Sequence, residues 1–215
     1  MQSSSLSDAR SPLLLGLGLV AGSGLLLGSL LLGILLGAAD IDATTVWQAI
    51  FQFDGSTEHL IIRTVRLPRA LLAVVVGAAL AAAGTITQGL TRNPLAAPDI
   101  LGINVGASLA MVLAIFLGSD SRNHVWFAFG GAAIAAVTVY WLGSTGRQGL
   151  TPLKLVIAGA ALTALLHSLT TAVLLLSQQT LEEIRFWLAG SLAGQELADL
   201  WPVLPYITLG LAGSL

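Results

Sequence analysis

The segment Arg63-Thr-Val-Arg-Leu-Pro-Arg69 leads into Ala70-Leu-Leu-Ala-Val-Val-Val-Gly-Ala-Ala-Leu-Ala-Ala-Ala-Gly-Thr-Ile-Thr-Gln-Gly-Leu90, and Thr91-Arg-Asn-Pro-Leu-Ala-Ala-Pro-Asp-Ile-Leu-Gly-Ile-Asn-Val-Gly106 follows it. The central 21 residues carry no charge, and at a helical rise of about 1.5 Å they match a bilayer core of about 30 Å. Pro68 sits near the first turn, where its missing N–H costs nothing. Beyond the run, Pro94 disfavours helical geometry at Asn93 and Pro98 repeats the break. The stretch therefore reads as a membrane-spanning helix entered through three arginines and left through a stiff, non-helical knot.

The whole chain agrees with this reading. Of its 215 residues 55% are hydrophobic and only 9% charged, against about 25% charged in an average soluble domain. With the same ruler, spans fall at about 13–39, 70–90, 100–118, 125–142 and 153–176. A sixth, 201–215, meets the chain end, so we read the chain as part of a larger polytopic unit. The expected fold class is all-α, a polytopic integral membrane protein with about six transmembrane helices after a leader of residues 1–11. The first run exceeds the 7–15 residues of a signal h-region and reads as a retained span. Asp40–Arg69 reads as a long polar loop. Around 180–192, Leu181, Ile184 and Leu188 share one helical face, which suggests a short interfacial helix with Trp187 at headgroup level.

Several function classes drop out. With no cysteine, disulfide frameworks and cysteine-ligated metal centres are excluded. A formal charge of −2 offers no basic patch for nucleic acid. His59, His124 and His167 lie in three different segments and assemble no metal site. The glycines around Arg147 lack the lysine and flanking strand of a phosphate cradle. Among intramembrane polar groups, His167 has no carboxylate in any span to orient it, so an interhelical hydrogen bond suits it better than catalysis. The small residues Gly24, Gly28, Gly33, Gly37, Gly77, Ala81 and Gly84 recur at spacings that let helices pack closely.

The Arg-x-x-Arg-Leu-Pro-Arg entrance, Gly77, Gly84, Gln88, the Arg-Asn-Pro-Leu-Ala-x-Pro-x-x-Leu-Gly knot and Gly106-Ala107 together resemble the permease subunits of ABC importers for iron–siderophore complexes, haem and cobalamin. Leu155-Val-Ile-Ala-Gly-Ala-Ala-Leu and Phe186-Trp-Leu-Ala-Gly-Ser-Leu extend the likeness, which covers about Val46 to Leu215. A full family permease has a fold of roughly ten helices, including a cytoplasmic ATPase-docking segment that nothing in this chain matches.

The resemblance implies a multi-pass protein of the bacterial inner membrane with a cytoplasmic N-terminus. It implies no cofactor on this chain and ATP on a partner subunit. The expected partners are that ATP-binding subunit, a periplasmic or lipid-anchored substrate-binding protein, a second permease copy or homologue, and membrane lipid. It assigns binding-protein docking to Arg66 and Arg69, with Arg63 the less certain member. The plainer alternative is arginines snorkelling to lipid phosphates. The cytoplasmic gate of the path falls on Asn93, Pro94, Leu95, Thr151, Leu153 and Leu155, the alternative being prolines that merely end two helices. This topology puts Arg10, Arg92, Arg147 and Lys154 inside and Arg63, Arg66, Arg69, Arg122 and Arg185 outside. A blunt positive-inside count favours the reverse orientation. The conflict resolves if the three entrance arginines are a functional cluster. A fragment of a secondary transporter or channel would want intramembrane carboxylates at a coupling-ion site, and no Asp or Glu lies inside any span except near its edges. A non-transporting membrane scaffold is the remaining rival.

Overall fold

The computed structural model describes residues 12–37, 39–146, 149–194, 198 and 201–213, and all its regular elements are helical. They form two compact units, one from the described residues up to Leu72 together with Gly194, the other from Ala73–Ala193 with 198 and 201–213.

In the first unit, α1 spans Pro12–Leu35. It stops short of the expected Ala39: Leu36 donates the last helical bond, to the Leu32 carbonyl. Most of the expected polar loop is in fact helical. Asp42 starts α2 (Ala43–Phe51) by accepting from the Thr45 amide at 2.9 Å and the Thr44 hydroxyl at 2.6 Å. Ser56 starts α3 (Thr57–Ile61) in the same way through the His59 amide. Side-chain oxygens at these positions satisfy amides that a helix start leaves without partners. A π turn, Ile62–Arg66, then runs straight into α4 (Leu67–Thr91), the Leu67 amide reaching back to the Ile62 carbonyl. Ala49 and Ile62 are completely buried, and Ile34, Ile41 and Val46 close the core around them.

In the second unit, Pro98–Leu101 forms a 3-10 turn, and Gly102 takes a left-handed φ of +67° that an L side chain rarely adopts. As a result α5 begins only at Ile103 and ends at Phe116, 14 residues, or about 21 Å. After a second 3-10 turn, Ser121–Asn123, the described residues hold α6 (His124–Ser144), α7 (Pro152–Leu176), α8 (Gln178–Leu188) and, further on, α9 (Leu204–Gly213). The interfacial segment runs a little earlier than read from sequence, because Ser177 caps α8 through the Thr180 amide. On α8, Ile184 is buried with Met111 and Val112.

Helices 13–35, 57–91, 124–144 and 152–176 are long and apolar enough to cross a membrane, while Ile103–Phe116 and Leu204–Gly213 are shorter. Their leucines, valines and phenylalanines point largely outward, which is stable only in a hydrocarbon solvent. The chain is a polytopic, all-α integral membrane protein.

Close backbone approaches occur at other glycines than the sequence suggested. Gly106 on α5 meets Gly131 on α6, and Gly159 on α7 meets the Ile100 carbonyl. A Cβ at Gly24, Gly28, Gly33, Gly77 or Gly84 would find nothing within 4 Å; of the earlier set, only Gly37 is crowded, and by an arginine.

Candidate functional site

The π turn delivers two of the three entrance arginines to helix ends. Arg63 donates from Nε to the Ala49 carbonyl at 2.7 Å and from Nη2 to the Ile50 carbonyl at 2.9 Å. Both acceptors lie in the last turn of α2. Its guanidinium also covers the Phe53 ring at 4.5 Å. Arg66 donates from Nη1 to the carbonyls of Ile34 and Leu35 at 2.9 and 2.8 Å, and from Nη2 to Ala39 at 2.5 Å. The carbonyls at a helix C-terminus lack intrahelical donors and carry partial negative charge, so a cation with several N–H groups suits them. Arg66 is consequently turned inward and only 7% exposed; it does not project from the helix entrance as the sequence reading expected. Arg69, one turn on, is exposed and has no hydrogen bond or ion pair among the described residues.

Beside this turn, the buried His59 sets Nδ1 2.8 Å from an Asp54 oxygen. Hydrogen bonds from the Ser56 amide and hydroxyl, with a smaller contribution from His59, hold the Asp54 carboxyl below its ordinary range. Asp42 is lowered from 3.8 to about 2 by the bonds from Thr44 and Thr45 that make it a helix cap.

The second candidate region lies where α4 ends and α7 begins. Arg92 takes a left-handed φ of 50°. Asn93 then folds the chain, its side-chain oxygen accepting from the Leu95 amide at 3.0 Å and its carbonyl from Ala96 at 3.1 Å. Leu95 is left 88% exposed, whereas Ala96 is buried. Across from the knot, Thr151 caps α7 through the Lys154 amide, and Pro152 occupies the first turn. Lys154 Nζ ties the preceding loop down by donating to the Thr145 and Gly149 carbonyls. Leu155 is buried against Gly143, and Leu153 is 69% exposed. A half-open cavity of about 290 Å³ is lined by Leu90, Arg92, Leu150, Thr151, Pro152 and Leu155.

Of the expected gate residues, Thr151 and Leu155 thus share one cavity wall, while Leu95 and Leu153 project outward. Sequence reasoning missed Leu90, Arg92 and Leu150. The signal for Arg92 was its place between a helix end and an Asn-Pro pair, where the chain must reverse. Among the described residues no group of acidic or histidine side chains could hold a metal ion. His167 is exposed on α7 and its ring has no hydrogen-bond partner among them. Arg10 and Arg147 lie outside the described residues.

Comparison with known proteins gives a consistent result. The model of the FecCD transport family matches residues 25–215. The "Probable siderophore transport system permease protein YfiZ" of Bacillus subtilis (strain 168) is 50% identical over 168 residues, 77% of this chain and 50% of that protein. The "Fe(3+)-citrate import system permease protein YfmD" of the same organism is 40% identical, over 86% of this chain and 55% of its own length. The "Ferric enterobactin transport system permease protein FepD" of Escherichia coli (strain K12) is 42% identical, over 80% and 52% respectively. A solved structure described as an inward-facing conformation of a metal-chelate type ABC transporter superposes with a TM-score of 0.73 at 27% identity, covering 90% of this chain and 59% of that one. The chain spans about half the length of the curated relatives it matches.

Proposed function

We propose, from the premise that this chain belongs to the FecCD transport family, that it supplies membrane-spanning helices to the permease of an ABC importer for a ferric siderophore or a kindred chelate such as haem or cobalamin. The observation that carries the reading is the 50% identity over 168 residues to a siderophore permease. On this reading the protein is a multi-pass protein of the bacterial inner membrane with a cytoplasmic N-terminus, and a transport subunit rather than an enzyme. ATP is hydrolysed on a separate subunit, a periplasmic or lipid-anchored binding protein delivers the chelate, and the path runs beside a second permease copy or homologue. Helix movement in alternating access does the work, with no covalent step.

Two regions have roles in this scheme. The exposed Arg69 pairs with an acidic side chain on the binding protein; a guanidinium fork grips a carboxylate through two parallel hydrogen bonds and stays charged at any physiological pH. Asn93, Pro94 and Leu95, with Thr151, Leu153 and Leu155, form the cytoplasmic constriction. The outward-facing leucines at 95 and 153 support this assignment, being available to close against apolar surface and exclude water.

The test is uptake of radiolabelled iron chelates by cells or proteoliposomes holding the full-length permease, its ATPase and its binding protein. Chelate-specific uptake that stops when the ATPase is inactivated is expected. A correctly folded complex that moves no iron chelate under any of these conditions overturns the reading. Within the same system, Arg69→Glu abolishes stimulation of ATPase activity by the binding protein and leaves basal hydrolysis in place. Unchanged stimulation removes the docking role.

A further inference from the structure

We propose that Gly159 and Thr163 on α7 form a seat for the Pro98–Gly102 turn, one that the turn can leave, and that they are thereby positioning residues for the knot Asn93–Leu95. The seat itself concerns the second unit alone; its consequence for transport rests on the reading of the knot and the start of α7 as the cytoplasmic constriction.

Three observations converge on it. First, the turn and α7 meet backbone to backbone. Gly159 is buried, and a Cβ there would overlap the Ile100 carbonyl oxygen while lying 2.9 Å from the Ile100 carbonyl carbon and 3.4 Å from the Leu101 Cα. These obstacles are main chain, so no change of rotamer relieves them. Second, the chain reverses directly over the next turn of α7. At its φ of +67°, Gly102 would place a Cβ 3.4 Å from the Thr163 hydroxyl oxygen and 3.8 Å from the Gly159 carbonyl oxygen. Third, this arrangement leaves the Thr163 hydroxyl buried without a hydrogen-bond partner among the described residues. On the same helix Ser168, Thr170 and Thr171 each donate to the carbonyl four residues back, at 2.8, 2.9 and 2.9 Å, the local bond open to a hydroxyl in a helix. For Thr163 that carbonyl belongs to Gly159, the residue on which the turn rests.

A buried hydroxyl without a partner costs free energy. The seat is therefore held by packing at Gly159 and opposed by Thr163, and a contact so balanced has two accessible positions. When the turn lifts, Thr163 is free to donate to the Gly159 carbonyl while Gly159 loses its packing. When it is seated, it ties the constriction together, since Leu95 precedes Ile100 by five residues and Leu155 precedes Gly159 by four.

Because the two residues act oppositely, their variants separate. In the full-length transporter during ATP hydrolysis, nitroxide labels on cysteines introduced at the exposed positions Ala97 and Ile157 report the separation of turn and α7 by dipolar coupling. The wild type should divide between a strong and a weak coupling. Gly159→Ala should shift the population to the weak one and raise ATP-independent leak of chelate from proteoliposomes several-fold. Thr163→Val keeps the shape and removes the unpaired hydroxyl. It should shift the population to the strong coupling, leave the leak at its wild-type level and lower uptake several-fold. Thr163→Ser, which retains the hydroxyl, should behave as wild type in both readings. Residues that only pack would move both positions' variants the same way.

A Thr163→Val coupling identical to that of the wild type overturns the seat, and so does a shift of both variants to the weak coupling. Should Gly159→Ala fail to fold, Thr163→Val and Thr163→Ser decide on the coupling alone. Opposite coupling shifts with leak and uptake unchanged would sink the constriction reading and leave the seat standing.

Discussion

Replacing Gly106 by alanine tests whether the α5–α6 contact holds the second unit together. The added Cβ would sit 2.6 Å from the Gly131 carbonyl oxygen and 2.5 Å from the Ala135 Cβ. Neither obstacle can rotate away, one being backbone and the other a methyl without rotamers. Restoring an ordinary 3.4 Å contact to the oxygen requires the helices to separate by about 0.8 Å. Overpacking of this kind costs about 1–3 kcal/mol, and fixed obstacles place it near the upper end. Alanine's better helix propensity returns about 1 kcal/mol, leaving a net loss of about 2 kcal/mol. Gly77→Ala is the matched comparison, since its Cβ enters open space and only the propensity gain applies. Thermal unfolding of the purified full-length protein in detergent should show Gly106→Ala melting several degrees lower and Gly77→Ala unchanged or slightly higher. If Gly106→Ala melts at or above the Gly77→Ala variant, the close approach of α5 and α6 is not what stabilises this unit.

Other perturbations reach the remaining regions. Leu95→Ala combined with Leu153→Ala should raise ATP-independent leak of chelate from proteoliposomes, and an unchanged leak in folded protein would return the knot to a simple helix terminator. Single cysteines at Asp54 and Ser121 should react with an impermeant maleimide from outside and one at Thr145 should not; the opposite pattern inverts the topology. Asp42, whose folded pKa is lowered from 3.8 to about 2, contributes stability that is fully present above about pH 4 and is lost as the pH falls through its folded value. Asn caps a helix as well as Asp does, so Asp42→Asn should keep the melting temperature near neutral pH and lose that acid-range decline. A decline of equal size in the variant would show that other carboxylates cause it.

The long apolar runs were legible because hydrocarbon imposes its rule on every residue in turn: the unbroken neutral stretch 70–90 permits almost nothing but a helix, and α4 covers it. The segment 40–69 was harder. Its charges and turn residues look like a loop, yet Asp42 and Ser56 each stand immediately before a short helix that they cap. Only the order of residues, not the polarity, carries that information. The late start of α5 depended on the left-handed conformation of Gly102, which the preceding proline hints at but does not fix. The arginine cluster was visible as a cluster. That Arg66 reaches back to carbonyls more than 27 positions earlier, except for Ala39 at 27, is a tertiary fact, and helix-end carbonyls leave no mark in a sequence. Likewise the glycine pairs that touch, Gly106 with Gly131, look no different in sequence from Gly77 and Gly84, which face open space.

Among the described residues, α1 is held at one end. Residues 13–27 are exposed throughout, and contact with the core of its unit begins at Leu30 and concentrates at Ile34 and Leu35, beside the Arg66 guanidinium. Its 24 residues make an arm of about 36 Å. A tilt of about 10° at the held end, which shifts atoms near the pivot by roughly an ångström, sweeps the free end through about 6 Å. A tilt small enough to be absorbed within the arginine turn would therefore move the N-terminal end of α1 by about half a helix diameter.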